Sequence, residues 1–299
     1  MVRGKRTVFK ACRDDAQRCL GNAFESARRA TLRYAGVTVP QGQAAIGEIP
    51  VTNGASSSAP GQEDLAAIIT AAPVTAIDDV IRVMQGLDAA LEAGDGLKWF
   101  NLLYLRVTEA VQAAEAGGAW LNRAWLARLD VVFAGYYFNA VVQSERSPAQ
   151  VARAWQPLLE ARRRPGLAPI QFALAGMNAH INHDLPLAVV ETCRETGVEP
   201  AAGSPEHSDF DQVNGILEAV EAQVKQTFAT GIVGEVDRDL RPVDDLVAMW
   251  SVRKARETAW ANALVLWRLR AEPELAQAFE QSLDRLVALS SQGLLTVVG

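Results

Sequence analysis

Apolar residues recur at steps of three and four along most of this chain, and alternating β-branched runs are scarce. That spacing gathers apolar side chains on one side of a helix, and Ala, Leu, Glu and Arg, which dominate here, are strong helix formers. The chain is therefore predicted to be all-α. Helices are expected over 63–72, 75–93, 97–116, 120–142, 148–162, 170–184, 187–196, 208–230, 242–269 and 274–290. Thr75 with Asp78 reads as a capping box, and Ser147-Pro148 as a helix start. A basic amphipathic helix is expected over 8–34. Residues 36–62, rich in Gly, Pro, Ser and Ala, read as a linker, with weak strand signals at 36–39 and 46–51. No repeat of fixed period occurs. The organisation expected is an N-terminal helix plus flexible linker over 1–61, then a single large helical bundle over 62–299.

Composition narrows the function classes. Among 299 residues, 49% are hydrophobic and 21% charged, an ordinary globular balance. A formal charge of -6 offers no broad attraction to nucleic acid or to an anionic membrane. No run approaches the roughly 20 apolar residues of a membrane span, and the basic stretch 1–13 lacks the apolar core of a secretory signal. Cys12, Cys19 and Cys193 are odd in number and lack metal-binding spacing, which fits reduced thiols in a cytoplasmic protein.

The histidines point to a site. His180 and His183 share the motif Gly176-Met177-Asn178-Ala179-His180-Ile181-Asn182-His183-Asp184-Leu185-Pro186, and His207 follows close behind. Residues three and four apart share a helix face, so His180, His183 and Asp184 can converge, with apolar runs on either side. Three readings stand. His180 is a general acid or base oriented by Asp184 or Asp130. Alternatively His180, His183, Asp184 and His207 hold a divalent transition metal, although H-x-x-H-D is less diagnostic than the absent H-E-x-x-H signature. Or the group satisfies backbone near a break at Pro186. Metal-free chemistry is preferred over a metal.

Two further helices place polar groups on apolar stripes. Over 126–140, Leu126, Asp130, Phe133, Tyr137 and Ala140 form one stripe, and Asp130 with Asn139 is expected to face inward. Near the C-terminus, Trp250, Arg253, Glu257, Trp260, Leu264 and Trp267 share one face. There Arg253 and Glu257 can pair with each other, hold a ligand or orient a histidine. Arg162-Arg163-Arg164 reads as a solvated charge run at a helix end. P-loop, G-x-G-x-x-G, G-x-S-x-G and paired C-x-x-C motifs are absent.

Several passages resemble a helical bacterial family, domain-of-unknown-function family 5995. They are Leu129 to Ala134 with Tyr137-Phe138, Trp155 to Glu160, the histidine motif above, and Trp250 with Arg256 to Trp260 and Trp267. The resemblance spans roughly 72–290 and brings no reaction with it. It supports Asn178, His180, Asp184 and Asp130 as a site.

The function expected is that of a cytoplasmic small-molecule enzyme. His180 transfers the proton, with Asp184, Asp130 and His183 beside it. Asn178, Tyr137, Arg253, Arg256, Glu257 and Trp260 contact substrate, an arginine serving as anion contact. Elimination, intramolecular cyclisation and hydrolysis are the candidate reactions. The alternatives are a metal-dependent hydrolase or oxygenase, and a non-enzymatic binding or interaction module. No nucleic acid or membrane is expected as partner, and the N-terminal helix is a candidate for homo-oligomer formation.

Overall fold

A computed structural model describes residues 64–231 and 251–296. Every regular element among them is helical, so the fold is all-α. In order these are α1 (Leu65–Thr70), α2 (Ile77–Ala90), α3 (Gly96–Gly117), α4 (Arg123–Arg146), a single 3-10 turn (Pro148–Gln150), α5 (Gln156–Ala161) and α6 (Pro169–Ala179). A π-helical turn (His180–Asp184) leads into α7 (Leu185–Thr196), followed by α8 (Pro205–Gly231), α9 (Val252–Leu269) and α10 (Pro273–Leu294). The helix and strands expected over 8–51, the linker, Cys12, Cys19, Trp250 and the start of the helix expected at 242 lie outside the described residues.

Side chains start the helices where the first backbone N–H groups lack intrahelical partners. Asp64, Asp95, Asn122 and Ser251 accept from Ala67, Leu97, Trp125 and Lys254 N–H respectively. At α2 the expected pairing shifts by one residue. Asp79, not Asp78, accepts from Thr75 N–H, Thr75 Oγ1 and Ala76 N–H, because the helix begins at Ile77 and the third position is Asp79. Ser147-Pro148 starts only the 3-10 turn, and the helix expected over 148–162 contracts to Gln156–Ala161. Gly197, at φ 69°, closes α7 in the left-handed conformation that glycine adopts at little cost.

α6, the π turn and α7 form one continuous central rod. Pro186 does not break it, contrary to expectation. A proline has no N–H to offer Asn182 O and its ring presses on that carbonyl. The widened turn, in which Leu185 N–H bonds His180 O, carries the chain past it. The first half of the rod packs against α3 and α10, the second half against α4 and α9. α3 comes close because Gly176 has no side chain: a Cβ there would stand 2.3 Å from the Phe100 ring. The π turn thus lies at the middle of the bundle, in contact with α4, α9 and α10.

Candidate functional site

Beside the π turn lies a hollow of about 100 Å³, lined by α3, α4, α6, α8 and α9. Its wall is mostly aliphatic and aromatic. His180, Asp130, Arg256 and Thr108 are the polar exceptions.

His180 sits at the seam, 2% exposed. Phe133 lies parallel to its imidazole at 3.6 Å between centroids, and Tyr104 meets it edge-on at 4.5 Å. Its Nδ1 is 2.9 Å from Asp184 Oδ2, while Nε2 has no partner. A carboxylate can only accept, so the proton of the neutral ring belongs on Nδ1 and the Nε2 lone pair is open. Burial pushes the His180 pKa below its ordinary value, against the pull of Asp184.

Asp184 is held on every side. Its Oδ2 also accepts from Trp155 Nε1 at 2.9 Å, and its Oδ1 is 2.7 Å from His183 Nδ1. Burial opposes ionisation of this carboxyl, but the bonds from both imidazoles outweigh it and keep its pKa below the usual range. His183 behaves oppositely to His180. Burial acts against its charge, yet the bond to Asp184 and the charges of Asp184, Asp284 and Glu280 raise its pKa overall. Its Nε2 stands 3.6 Å from Asp284 Oδ1 on α10.

Asp130, also on the hollow, forms a carboxyl pair with Glu115 of α3. Burial, then the charge and hydrogen bond of Glu115, raise the Asp130 pKa well above the carboxylate range, with Arg256 opposing. Asp130 Oδ2 and Glu115 Oε1 are both buried without partners. Arg256 is held in place by two of its five N–H groups: Nε donates to Asn214 Oδ1 at 2.7 Å and an Nη donates to Phe210 O at 2.9 Å, and the guanidinium lies 4.0 Å over the Phe210 ring. Burial lowers its pKa to about 10.

The structure therefore gathers His180, His183 and Asp184 at the π turn, and places Asp130 and Arg256 with His180 on the hollow. Other expected contacts are corrected. Arg253 is half-exposed and bonds Glu218, and Glu257 is exposed and bonds Lys254. The inward face of α9 runs instead through Val252, Arg256, Ala259, Ala263 and Leu266. Trp260 is buried against Trp125, Phe210 and His207 rather than on the hollow. Asn178 is spent on packing: Nδ2 donates to Val287 O and Ser291 Oγ, and Oδ1 accepts from Asn182. The Tyr137 hydroxyl donates to Asn101, and its ring stacks on Trp155. Asn139 is exposed.

The expected four-residue metal shell does not assemble. His207 accepts from Gly203 N–H and lies against Trp260, and the Nδ1 atoms of His180 and His183 are each directed at Asp184. Among the described residues no three His, Cys, Asp or Glu side chains are disposed to hold a metal ion. Glu115, Trp155, Phe133 and Asp284 were not foreseen as part of the site. The steps Thr108, Val111, Glu115 share one face of α3, and that periodicity alone places Glu115 on the inward side of the helix.

Fold and site together define an all-α bundle with a buried carboxylate–imidazole pair beside an apolar hollow. A family described as a family of unknown function (DUF5995) matches residues 77–297, and the chain belongs to it. No curated protein and no solved structure matches the chain.

Proposed function

We propose that this domain is an acid–base enzyme for a small molecule held in the hollow, with His180 as base and Asp130 as acid. The observation that carries this reading is the buried, unpartnered Nε2 of His180, on a residue that lines the hollow and is fixed through Nδ1 by Asp184. A buried acceptor left unsatisfied costs about 1–3 kcal/mol, a cost that a ligand donor removes. Near neutrality the ring accepts a proton at Nε2, and the Asp184 carboxylate stabilises the imidazolium that forms. The Asp130 carboxyl, kept protonated, gives a proton to the oxygen on which charge develops. Opposite displacements of two pKa values in one enclosure divide acid from base. One proton enters the protein and one leaves, which suits elimination or intramolecular cyclisation. Lyase or cyclase is the class that follows.

Among the described residues no helix is long and apolar enough to cross a membrane. A cytoplasmic setting belongs to the same reading, with the buried free thiol of Cys193 in keeping. Assembly of copies through the N-terminal helix is a further part of it, supported by the amphipathic pattern over 8–34 alone.

Incubating a metabolite extract with the full chain and with His180→Gln, followed by untargeted mass spectrometry, tests the proposal. One compound consumed and one formed is expected with the wild type, with a rate about 10²–10⁴-fold lower in the variant. An extract left unchanged, or changed equally by both, overturns it.

A further inference from the structure

Arg256 is a buried cation with no ion pair among the described residues. It lines the hollow at 6% exposure, and its hydrogen-bond and stacking partners are neutral: the Asn214 amide, the Phe210 carbonyl and the Phe210 ring. Those bonds use two of its five N–H groups, and the other three donate to no described residue. The carboxyls nearest in charge do not meet it. Asp130 keeps its proton, and Asp211, with a side chain 46% exposed, bonds Asn214 and faces His207. A charge taken out of water stays costly until an opposite charge reaches it.

Two neutral groups on the hollow lean the same way. The Tyr104 hydroxyl, raised well above its ordinary pKa by burial and by the charges of Asp130 and Asp184, stays protonated. The Asp130 carboxyl keeps a proton to give, and its Oδ2 is unpartnered. Proton-bearing groups, one of them a cation, thus stand against the bare Nε2 of His180. Leu174, Met177, Val213 and Leu217 make only apolar demands. One guanidinium beside such a wall matches a single negative charge rather than the two of a phosphate monoester.

We propose that the hollow takes an apolar carboxylic acid, bound as its carboxylate on the Arg256 guanidinium. This names the substrate class of the acid–base site and rests on that reading. The three remaining N–H groups sit on the two Nη atoms, the pair that takes both oxygens of a carboxylate. The apolar body lies along the aliphatic wall, and a proton of that body is left to His180 Nε2.

Titration calorimetry of the full chain at neutral pH with phenylacetate, phenylacetamide and phenyl phosphate tests the ligand class. The first two share one body and differ in charge. Phenylacetate is expected to bind about tenfold more tightly than either of the others. In Arg256→Gln its advantage over the amide disappears. Should that variant not fold, the wild type alone decides: the ¹⁵N resonances of the Arg256 guanidinium shift with phenylacetate and stay in place with phenylacetamide. Equal binding of acid and amide, tighter binding of phenyl phosphate, no binding of phenylacetate, or unmoved Arg256 resonances overturns the proposal. So does an advantage of acid over amide that persists in a folded Arg256→Gln. The two ideas fail separately. Loss of the acid preference removes the ligand class and leaves the extract experiment standing, whereas acid preference with an unchanged extract removes catalysis alone.

Discussion

Asp184 gives each of its oxygens to a different imidazole, and the two rings respond in opposite directions. His180, stacked on Phe133 inside the bundle, is pushed toward neutrality, while His183, facing Asp284 as well, is pushed toward charge. Linkage turns this into a pH dependence. The His183 contribution is fully present below its ordinary value of 6.5 and is lost as pH rises through its raised folded value. His180 acts with the other sign: stability falls as pH drops from 6.5 through its lowered folded value. Asp184 adds an acid limb, lost as pH falls below 3.8 through its own lowered value. Denaturant midpoints between roughly pH 4 and 9 should therefore show a maximum near neutrality. His183→Gln should flatten the alkaline limb and leave the acid limb in place. An alkaline limb unaffected by that change would remove His183 from the account. The motif announced these residues because positions 180, 183 and 184 are close on any helix. Which ring would be charged was not legible, because it depends on Phe133 and Asp284, 47 and 100 or more positions away.

The central rod shows what one element can and cannot declare by itself. Its apolar flanks predicted a helix on each side of the motif, and both form. The π turn between them was invisible, since one extra residue in a turn leaves no signature in a pattern of steps of three and four. The close approach of α3 was equally hidden. Gly176→Ala should cost about 1–3 kcal/mol by forcing Phe100 aside, whereas Gly135→Ala on α4, with nothing within 4 Å of its Cβ, should stabilise by about 0.5–1 kcal/mol through helix propensity. Urea unfolding of the pair checks this, and equal effects would mean that α3 does not pack on the rod at Gly176. α9 carries the same lesson. Its tryptophans drew attention to the face through Arg253 and Glu257, but Ala259 and Ala263, with no exposed surface, turn toward the rod. Small side chains let two helices approach closely, and Arg256 follows them inward.

Across the whole molecule, ties between distant segments fix where the hollow can be. Asp95 caps α3 through Leu97 N–H and receives Arg162 Nε at 2.9 and 2.7 Å on its two oxygens. The Arg162 carbonyl in turn accepts from Gly96 N–H. The arginine run after α5 is thus tied to distant segments rather than simply solvated: Arg162 clamps Asp95, and an Nη of Arg164 donates to Leu295 O at 3.0 Å. Arg162→Met, which leaves the buried Asp95 carboxylate with only the exposed Arg163 as a cation, its Nε 3.8 Å away, should cost about 3 kcal/mol. Arg163→Met, whose side chain is 59% exposed, should change stability by less than about 0.5 kcal/mol. Comparable losses in both variants would show the clamp to be no more than a surface pair.

What the sequence determined by itself is the all-α class, most helix positions and the motif at the heart of the site. These rest on propensity and periodicity, which act over a turn or two of chain. Tertiary structure alone decided that Arg256 rather than Arg253 reaches the hollow, that Asn178 and Tyr137 serve packing, and that Glu115 joins Asp130. Each outcome depends on the rotation of one helix against another. That rotation is set by contacts between side chains scores of residues apart, and no local pattern encodes it.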